Sequence, residues 1–482
     1  MSDSIFEQKK AKYLEANEKK LLADHFDKTH SAGTAMTLED GTPVKVAGRV
    51  VARRKMGKVV FLSLFDFDGK VQLFFKKNAE KPEDFDNFNE WISIGDFIGI
   101  EGEMFTTKTG EKTVRVGDWK LLNKSLRTLP EKFHGLEDIE SRYRQRYLDI
   151  IMNEDSRRIF QKRIKLVKNM RHFLEENHFL EVETPVLQTK PSGALARPFY
   201  TKHNALDIEC SLRIAPETWL KRLIGAGMDR VYEFSRCFRN EGISATHLQD
   251  FTMLEFYAAY WNADIQREYV QKLIKYTIEN TFEELKVKIG EHEVDFAGDW
   301  PVYDYSELIL KDCGIDIRKH KDKSDLLAVL KEKGIEVEDA ETLSWGNLVD
   351  GLYKKVTRPK LIQPCFLVRY PTELAPLARR NAEDPDFVDR FQFVVAGAEI
   401  VNAYSELVDP VDQRGRFEEQ AEARVGGDDE AMPLDEEYLI SMEHGFPPIS
   451  GVGIGIDRLV MVLCGCENIK DTVLFPLLRP QH

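Results

Sequence analysis

Residues 230–260 read RVYEFSRCFRNEGISATHLQDFTMLEFYAAY, two aromatic and apolar runs flanking a polar stretch, 240–250. That pattern predicts two antiparallel strands joined by a long solvated loop. Arg239 closes the first strand. Glu255 and Tyr257 stand two apart on the second, so alternation puts both on one face of the sheet. A cation at a strand end, then an acid beside a phenol, suits a ligand anionic at one end and cationic at the other. An ordinary hairpin would show the same pattern, and the rest of the chain has to decide.

Upstream, five short runs follow one another from residue 44: VKVAGRVVARR, KVVFLSLFDFDG, KVQLFFKK, FIGIEGEMFTTKTGE and KTVRVGDWKLLN. Turn signals at Asp68-Gly69 and Thr109-Gly110 separate them. Five such strands predict a small closed barrel, with the OB fold as the commonest match. Before it, Leu14, Leu21, Leu22 and Phe26 among many charges read as a surface helix. After it, residues 125–150, with Pro130, Gly135 and a charged helical run, read as a connector. A long amphipathic helix is expected over about 155–178, then an alternating strand, FLEVETPVLQ, in which Pro185 marks an edge or a break. Residues 261–360 alternate helices with short strands and show no chemistry. QPCFLVRYPTELAPLARR and RFQFVVAGAEIVNAYSEL then read as strands of a mainly antiparallel sheet, and GVGIGIDRLVMVLCG as a strand running into a helix.

At 482 residues the chain calls for two or three domains. No apolar run approaches the roughly 20 residues that span a bilayer, and the charged start lacks a signal-peptide core. Six scattered cysteines give neither a disulfide framework nor a zinc spacing, as expected in a reducing cytoplasm. A net charge of −14 argues against a nucleic-acid coat but leaves room for a local basic patch. Arg53, Arg54, Lys55 and Lys58, with Lys76 and Lys77, form such a cluster on the barrel, beside Phe61 as a base-stacking platform.

Three further stretches carry chemistry. Gly451, Gly453 and Gly455 alternate along one strand, so that face is bare backbone on which a flat ring could lie. Asp457 and Arg458 then open a helix whose positive end favours anions. In EIVNAYSEL, Asn402, Tyr404 and Glu406 share a face of a regular strand, with Glu399 out of phase unless a bulge intervenes. In LRIAPETWLKRL, Pro216 suits a first helical turn, and Glu217 either caps that helix or faces a ligand.

Together these stretches resemble a class II lysyl-tRNA synthetase over essentially the whole chain. Motif 1 of the class resembles the long helix and FLEVETPVLQ (about 155–187). Motif 2 resembles FRNEG…HLQDFTMLEFY (about 230–260), and motif 3 GVGIGIDRL (about 451–476). SGALARPF, HNALDIECSLRIAPE, NAYSEL and LFPLLRP narrow the resemblance to the lysine enzyme. It implies an α+β protein with a helical extension (1–35), an OB-fold anticodon-binding barrel (36–125), a linker (126–150) and a catalytic domain (151–482). That last domain would be an antiparallel sheet flanked by helices, in a homodimer. The implied reaction makes lysyl-adenylate from ATP and L-lysine, then passes lysine to the 3′ end of tRNA(Lys).

By the same resemblance Arg239 and Arg458 are catalytic and bind ATP together with Glu241, His247, Phe251 and Glu399. Gly193, Glu217, Glu255, Tyr257, Asn402 and Glu406 bind lysine, and Phe61, Gln72 and Asp118 read the anticodon. Mg2+ is expected on the phosphates, held by Glu399 and by an acid seven residues earlier, where this chain has Gln392. The chain also departs at Leu248, within His247-Leu248-Gln249-Asp250-Phe251 where family members carry H-N-P-E-F. Further departures are Ala398, Val408 and the short acid Asp118. Apart from Asp118 on the barrel, these changes gather near the metal and the phosphates. Two other readings follow from them, a paralogue that activates lysine without charging tRNA(Lys) and a non-catalytic lysine- or RNA-binding regulator. Arg239, Arg458 and the barrel favour the enzyme.

Overall fold

The computed structural model describes residues 2–130, 136, 138–194, 196–425 and 432–481. Gly135 of the connector and Leu195 of SGALARPF lie outside them. The chain divides into two compact units, Met1–Arg157 and Arg158–His482.

In the first unit, α1 (Ser2–Glu18) precedes five strands: β1 (Pro43–Met56), β2 (Val59–Asp66), β3 (Gly69–Lys76), β4 (Phe97–Thr106) and β5 (Lys112–Asn123). They close into a barrel in the order β1-β2-β3-β5-β4. Period-two alternation explains the closure, since Val46, Leu62, Leu73, Ile98 and Val114 all point inward and are fully buried or nearly so. Leu21, Leu22 and Phe26 fall beyond α1, and a side chain at Gly99 would strike the Phe26 ring.

A helix absent from the sequence reading, α2 (Pro82–Trp91), lies between β3 and β4. Its signals were present: Pro82 in the first turn, Glu83 and Asp84 at the positive end, and Phe85, Phe88 and Trp91 buried on one side. α2 also draws on the expected basic cluster. Arg53 Nη2 donates to Asn89 Oδ1 at 2.7 Å, and Lys77 pairs with Asp86 at 2.7 Å.

The expected long helix, α3 (Glu154–Glu176), starts at the end of the first unit and leads into the second. The main sheet has eight strands: β6 (Leu180–Glu181), β7 (Arg230–Phe238), β8 (Asp250–Ala259), β9 (Val302–Asp304), β10 (Cys365–Pro371), β11 (Phe387–Val395), β12 (Ala398–Ser405) and β13 (Ile449–Gly455). Their order is β9-β10-β11-β12-β13-β8-β7-β6. The inner strands pair antiparallel, and β6 and β9 add parallel at the edges. FLEVETPVLQ is therefore not one strand. Leu180–Glu181 joins the main sheet and Leu187–Gln188 a separate three-stranded one, with Pro185, which offers no ladder donor, between them.

Helices α4 (Glu217–Gly225), α5 (Ala263–Phe282), α6 (Trp345–Val356) and α7 (Ile456–Leu463) complete the parts that matter for the site. Leu166 and Met170 of α3, Val270 and Ile274 of α5, and Leu459 and Val460 of α7 form one core with the apolar residues of β8, β12 and β13.

Candidate active site

The β8, β13 and β12 strands lie side by side, and their register lays out the site in rows. Glu255 opposes Gly453, which opposes Asn402; Tyr257 opposes Gly451, which opposes Tyr404. The middle strand thus offers glycine between two strands that carry polar side chains. Above it lies a cavity of about 340 Å³. A second, of about 190 Å³, shares Arg239, Met253, Glu399, Asn402 and Gly453 with the first, so the two form one trough.

The bare glycine face is only partly open. A Cβ on Gly451 would strike Glu406 Oε1 and the Tyr257 ring, so protein atoms already fill that position. At Gly453 the nearest atom to such a Cβ is the Met253 methyl, the far end of an unbranched side chain, 2.9 Å away. That is the open part of the floor. Gly193, with φ +93°, lies on the wall where a Cβ would come 3.1 Å from the Glu217 Cβ, so backbone conformation and space both require glycine.

One end of the trough is acidic and buried. Glu217 opens α4 without capping it. Its oxygens instead accept from Tyr404 Oη at 3.0 and 2.9 Å and from Lys221 Nζ at 2.5 Å. Lys221 is fully buried and also pairs with Glu406. Burial opposes its charge, but Glu217 and Glu406 outweigh that and hold the ammonium protonated. One ammonium cannot neutralise both acids, and burial pushes the Glu406 carboxyl well up. Glu406 therefore sits behind the wall, beneath Gly451, rather than on the cavity surface.

Tyr257 Oη donates to Glu255 Oε2 at 3.0 Å. Burial, reinforced by Glu217, still pushes the Glu255 carboxyl up to about 8. Three acid side chains share one internal cation, so an ammonium ligand would favour the ionised forms that burial opposes.

The other end is cationic and more open. Arg239 follows β7, and its buried Nε has no hydrogen-bond partner among the described residues. Its guanidinium lies 5.1 Å from the Phe251 ring centre. Arg458, in the first turn of α7, donates from Nη1 to the Glu399 carbonyl at 3.0 Å and from Nη2 to His247 Nε2 at 3.3 Å. A guanidinium only donates, so Nε2 accepts and Nδ1 carries the proton, facing Ser244 Oγ at 2.8 Å. Burial, with Arg458, Lys354, Arg239 and Arg358 nearby, lowers the His247 pKa and keeps the ring neutral. Glu241 and Leu248 complete this part, and Leu248 also packs on the apolar core. Asp457 turns inward, pairing with Arg163 at 2.6 Å and accepting from the Thr252 N–H at 2.7 Å.

The phase of Glu399 is settled by a bulge. Phe393 opposes Val401 but Val394 opposes Glu399, so Ile400 is the extra residue and Glu399 turns onto the cavity wall. Gln392 reaches the same wall, where its Oε1 accepts the Tyr370 hydroxyl at 2.6 Å. Among the described residues no cluster of three or more His, Cys, Asp or Glu could hold a metal. Glu399 fits as the single protein ligand of a magnesium ion that arrives on phosphates, and Gln392 is already engaged.

The sequence missed five contributors. Lys221 could have been suspected, four residues after Glu217 on one helix face. Arg390 donates from Nε to Asn402 Oδ1 at 2.7 Å. Asn347, Asp350 and Lys354 come from α6, inside the segment read as scaffold.

In the barrel, Phe61 and Phe74 lie opposed on β2 and β3, 5.2 Å between ring centres, and Phe105 continues the row at 5.5 Å. Gln72 on the same outer face donates to Glu111 at 2.8 Å and accepts from Thr113 at 2.9 Å. Asp118 is exposed opposite Glu101.

Residues 138–479 match the family model for class II tRNA synthetases (D, K and N), and residues 44–122 the model for the OB-fold nucleic acid binding domain. A lysine–tRNA ligase of Aquifex aeolicus is 47% identical over 91% of this chain and 73% of its own length. One of Pelotomaculum thermopropionicum is 45% identical over 95% and 91%. One of Staphylococcus aureus is 43% identical over 92% and 88%. The chain belongs to the lysine–tRNA ligases. As a class II synthetase with an N-terminal OB barrel, it matches the expected α+β architecture, with the parallel edge strands as a refinement.

Proposed function

We propose that this protein activates L-lysine with ATP and transfers it to the 3′ end of tRNA(Lys). One observation carries the reading: a single trough has buried acids at one end and the guanidinium groups of Arg239 and Arg458 at the other, and Arg239 lies where its two cavities meet. A diamine with a carboxylate fits the acidic end, and a nucleotide triphosphate fits the cationic end.

Glu217 and Glu255, aligned by Tyr404 and Tyr257, would receive the ammonium groups of lysine, with Glu406 behind them as the second partner of Lys221 and Gly193 and Asn402 shaping the wall. The lysine carboxylate oxygen then attacks the α-phosphorus and the bond to the β-phosphate oxygen breaks, giving lysyl-adenylate and pyrophosphate. Such a step needs alignment and charge neutralisation rather than a protein nucleophile. Arg239 would hold the α-phosphate, and its lack of a carboxylate partner leaves the guanidinium available. Phe251, His247, Glu241 and Arg458 would hold the adenine nucleotide. Glu399 would hold magnesium, which when bound neutralises phosphate charge. In the second step a hydroxyl of the terminal adenosine attacks the lysyl carbonyl and AMP leaves.

Residues 36–125 are assigned to anticodon binding, with Phe61 as the stacking platform and Gln72 and Asp118 beside it. Residues 1–35 form an extension, 126–150 the linker and 151–482 the catalytic domain, in a cytoplasmic homodimer. No helix is long and apolar enough to cross a membrane among the described residues.

Lysine-dependent ATP–pyrophosphate exchange, with charging of tRNA(Lys), tests the assignment. Exchange with charging is expected. Exchange without charging would point to the paralogue, and no exchange to the binding protein.

A further inference from the structure

The α6 helix brings charge to the trough that the sequence did not announce. Lys354, on the cavity wall, pairs with Asp350 one turn earlier at 2.6 Å and is half exposed. Arg358 follows in a short 3-10 turn, Arg358–Lys360. It is half-buried and has no carboxylate partner among the described residues. The positive charge of both lowers the basicity of His247, and Arg358 does the same to Arg458. Arg358 lines neither cavity itself, but its carbonyl lies beside Gly397, two residues before Glu399. Offsetting the negative end of the helix dipole would account for Lys355, whose ammonium is held on the Glu336 carbonyl. It does not account for an unpaired Arg358.

The acids at this end are few. Asp350 is neutralised by Lys354, and Gln392 is uncharged and engaged with Tyr370. Glu399 shares its wall with Arg239, and Arg458 bonds its carbonyl. A wall built to collect several divalent ions would carry the opposite balance, with acids in excess. A wall built to receive phosphate directly would carry fixed cations.

We propose that Lys354 and Arg358 bind the β- and γ-phosphates of ATP, supplying from the chain charge that additional magnesium would bring, so that nucleotide docks with a single ion on Glu399. This rests on the synthetase reading above. In the reaction the same two cations would hold the departing pyrophosphate, so no proton has to move to it.

The test uses α,β-methylene-ATP, which cannot form adenylate, titrated calorimetrically into the full-length protein in excess EDTA and in saturating magnesium. Wild type is expected to bind in EDTA within about tenfold of its affinity with magnesium. The Lys354→Met/Arg358→Met variant should bind at least about tenfold more weakly than wild type in EDTA, as expected for charge-assisted contacts. Its AMP affinity should be unchanged, which also reports an intact fold, and Arg358→Lys should recover part of the loss. Manganese titration followed by electron paramagnetic resonance should show one ion per site with the analogue bound.

Loss of wild-type binding in EDTA, equal binding by the double variant, or two or more manganese ions per site would each overturn the proposal. Lysine-dependent exchange run on the same wild-type preparation separates the two levels. Its absence would remove the synthetase reading, whereas normal exchange with a silent double variant would remove only the role of Lys354 and Arg358.

Discussion

The two ends of the trough solve opposite electrostatic problems by opposite means. At the acidic end every polar side chain is tied: Tyr257 to Glu255, Tyr404 to Glu217, and Lys221 to both Glu217 and Glu406. That network is buried and preset by the register of β8 and β12 and by the first turns of α4. At the cationic end Arg239 Nε has no hydrogen-bond partner among the described residues, His247 is held by a long contact with Arg458 and by Ser244, and the loop around it is exposed. Buried charge is tolerated only when paired, so an end that must stay acidic without its ligand carries an internal cation. Cations that keep access to water need no such device and can wait unpaired for phosphate.

The largest effect that would break this contrast is removal of the internal cation. Lys221→Met leaves Glu217 and Glu406 buried together without their ammonium. Breaking a buried pair costs about 3–5 kcal/mol, to be read by chemical denaturation. A loss within experimental error would mean the acidic end does not depend on Lys221. Next is Arg239→Met, which should lower the maximal exchange rate about a hundred- to thousandfold with little change in lysine affinity. A rate within a few-fold of wild type would take the guanidinium away from the phosphorus.

The contrast also explains what the sequence disclosed. The acidic end sits on strands, where period-two alternation fixes neighbours, so Glu255 with Tyr257 and Asn402 with Tyr404 could be paired by counting. The barrel was legible for the same reason. Glu399 was not, because a bulge at Ile400 shifts the phase by one residue and no residue type there announces it. Lys354 and Arg358 were hidden more deeply. Only the tertiary fold carries α6 to the cavity, so on the helix they read as solvated charges. Gln392 and Glu399 stood out as metal candidates by resemblance alone, and the Tyr370 hydroxyl on Gln392 could not have been foreseen.

A smaller effect sharpens the acidic end. With the carboxyl of Glu255 raised to about 8, the empty site at pH 7 holds a proton there. A lysine ammonium favours the ionised form, so binding expels that proton. Lysine affinity should rise with pH up to about 8, by at most about tenfold per unit. Calorimetry at pH 7 in two buffers of different ionisation enthalpy should find close to one proton released, and Glu255→Gln should abolish the release. Because the folded value lies above the unfolded one, the same group stabilises the fold at low pH. It loses that contribution as the pH rises towards about 8. Proton uptake on binding, or none, would contradict the assignment of Glu255 to an ammonium.

The mildest change tests the cationic end by making it resemble the other. In Gln392→Glu, one oxygen keeps the bond from the Tyr370 hydroxyl and the second is free towards Glu399 on the same wall. Two neighbouring acids without a metal repel each other, and burial adds to the cost. With magnesium between them the pair becomes favourable. The magnesium concentration for half-maximal exchange should therefore fall by about three- to tenfold, roughly one charge-assisted contact. Exchange at very low magnesium should fall as well, since the added charge then opposes the phosphates. An unchanged magnesium requirement would show that residue 392 does not face the ion. A fall in the requirement without the loss at low magnesium would show that fixed cations already outweigh the new acid.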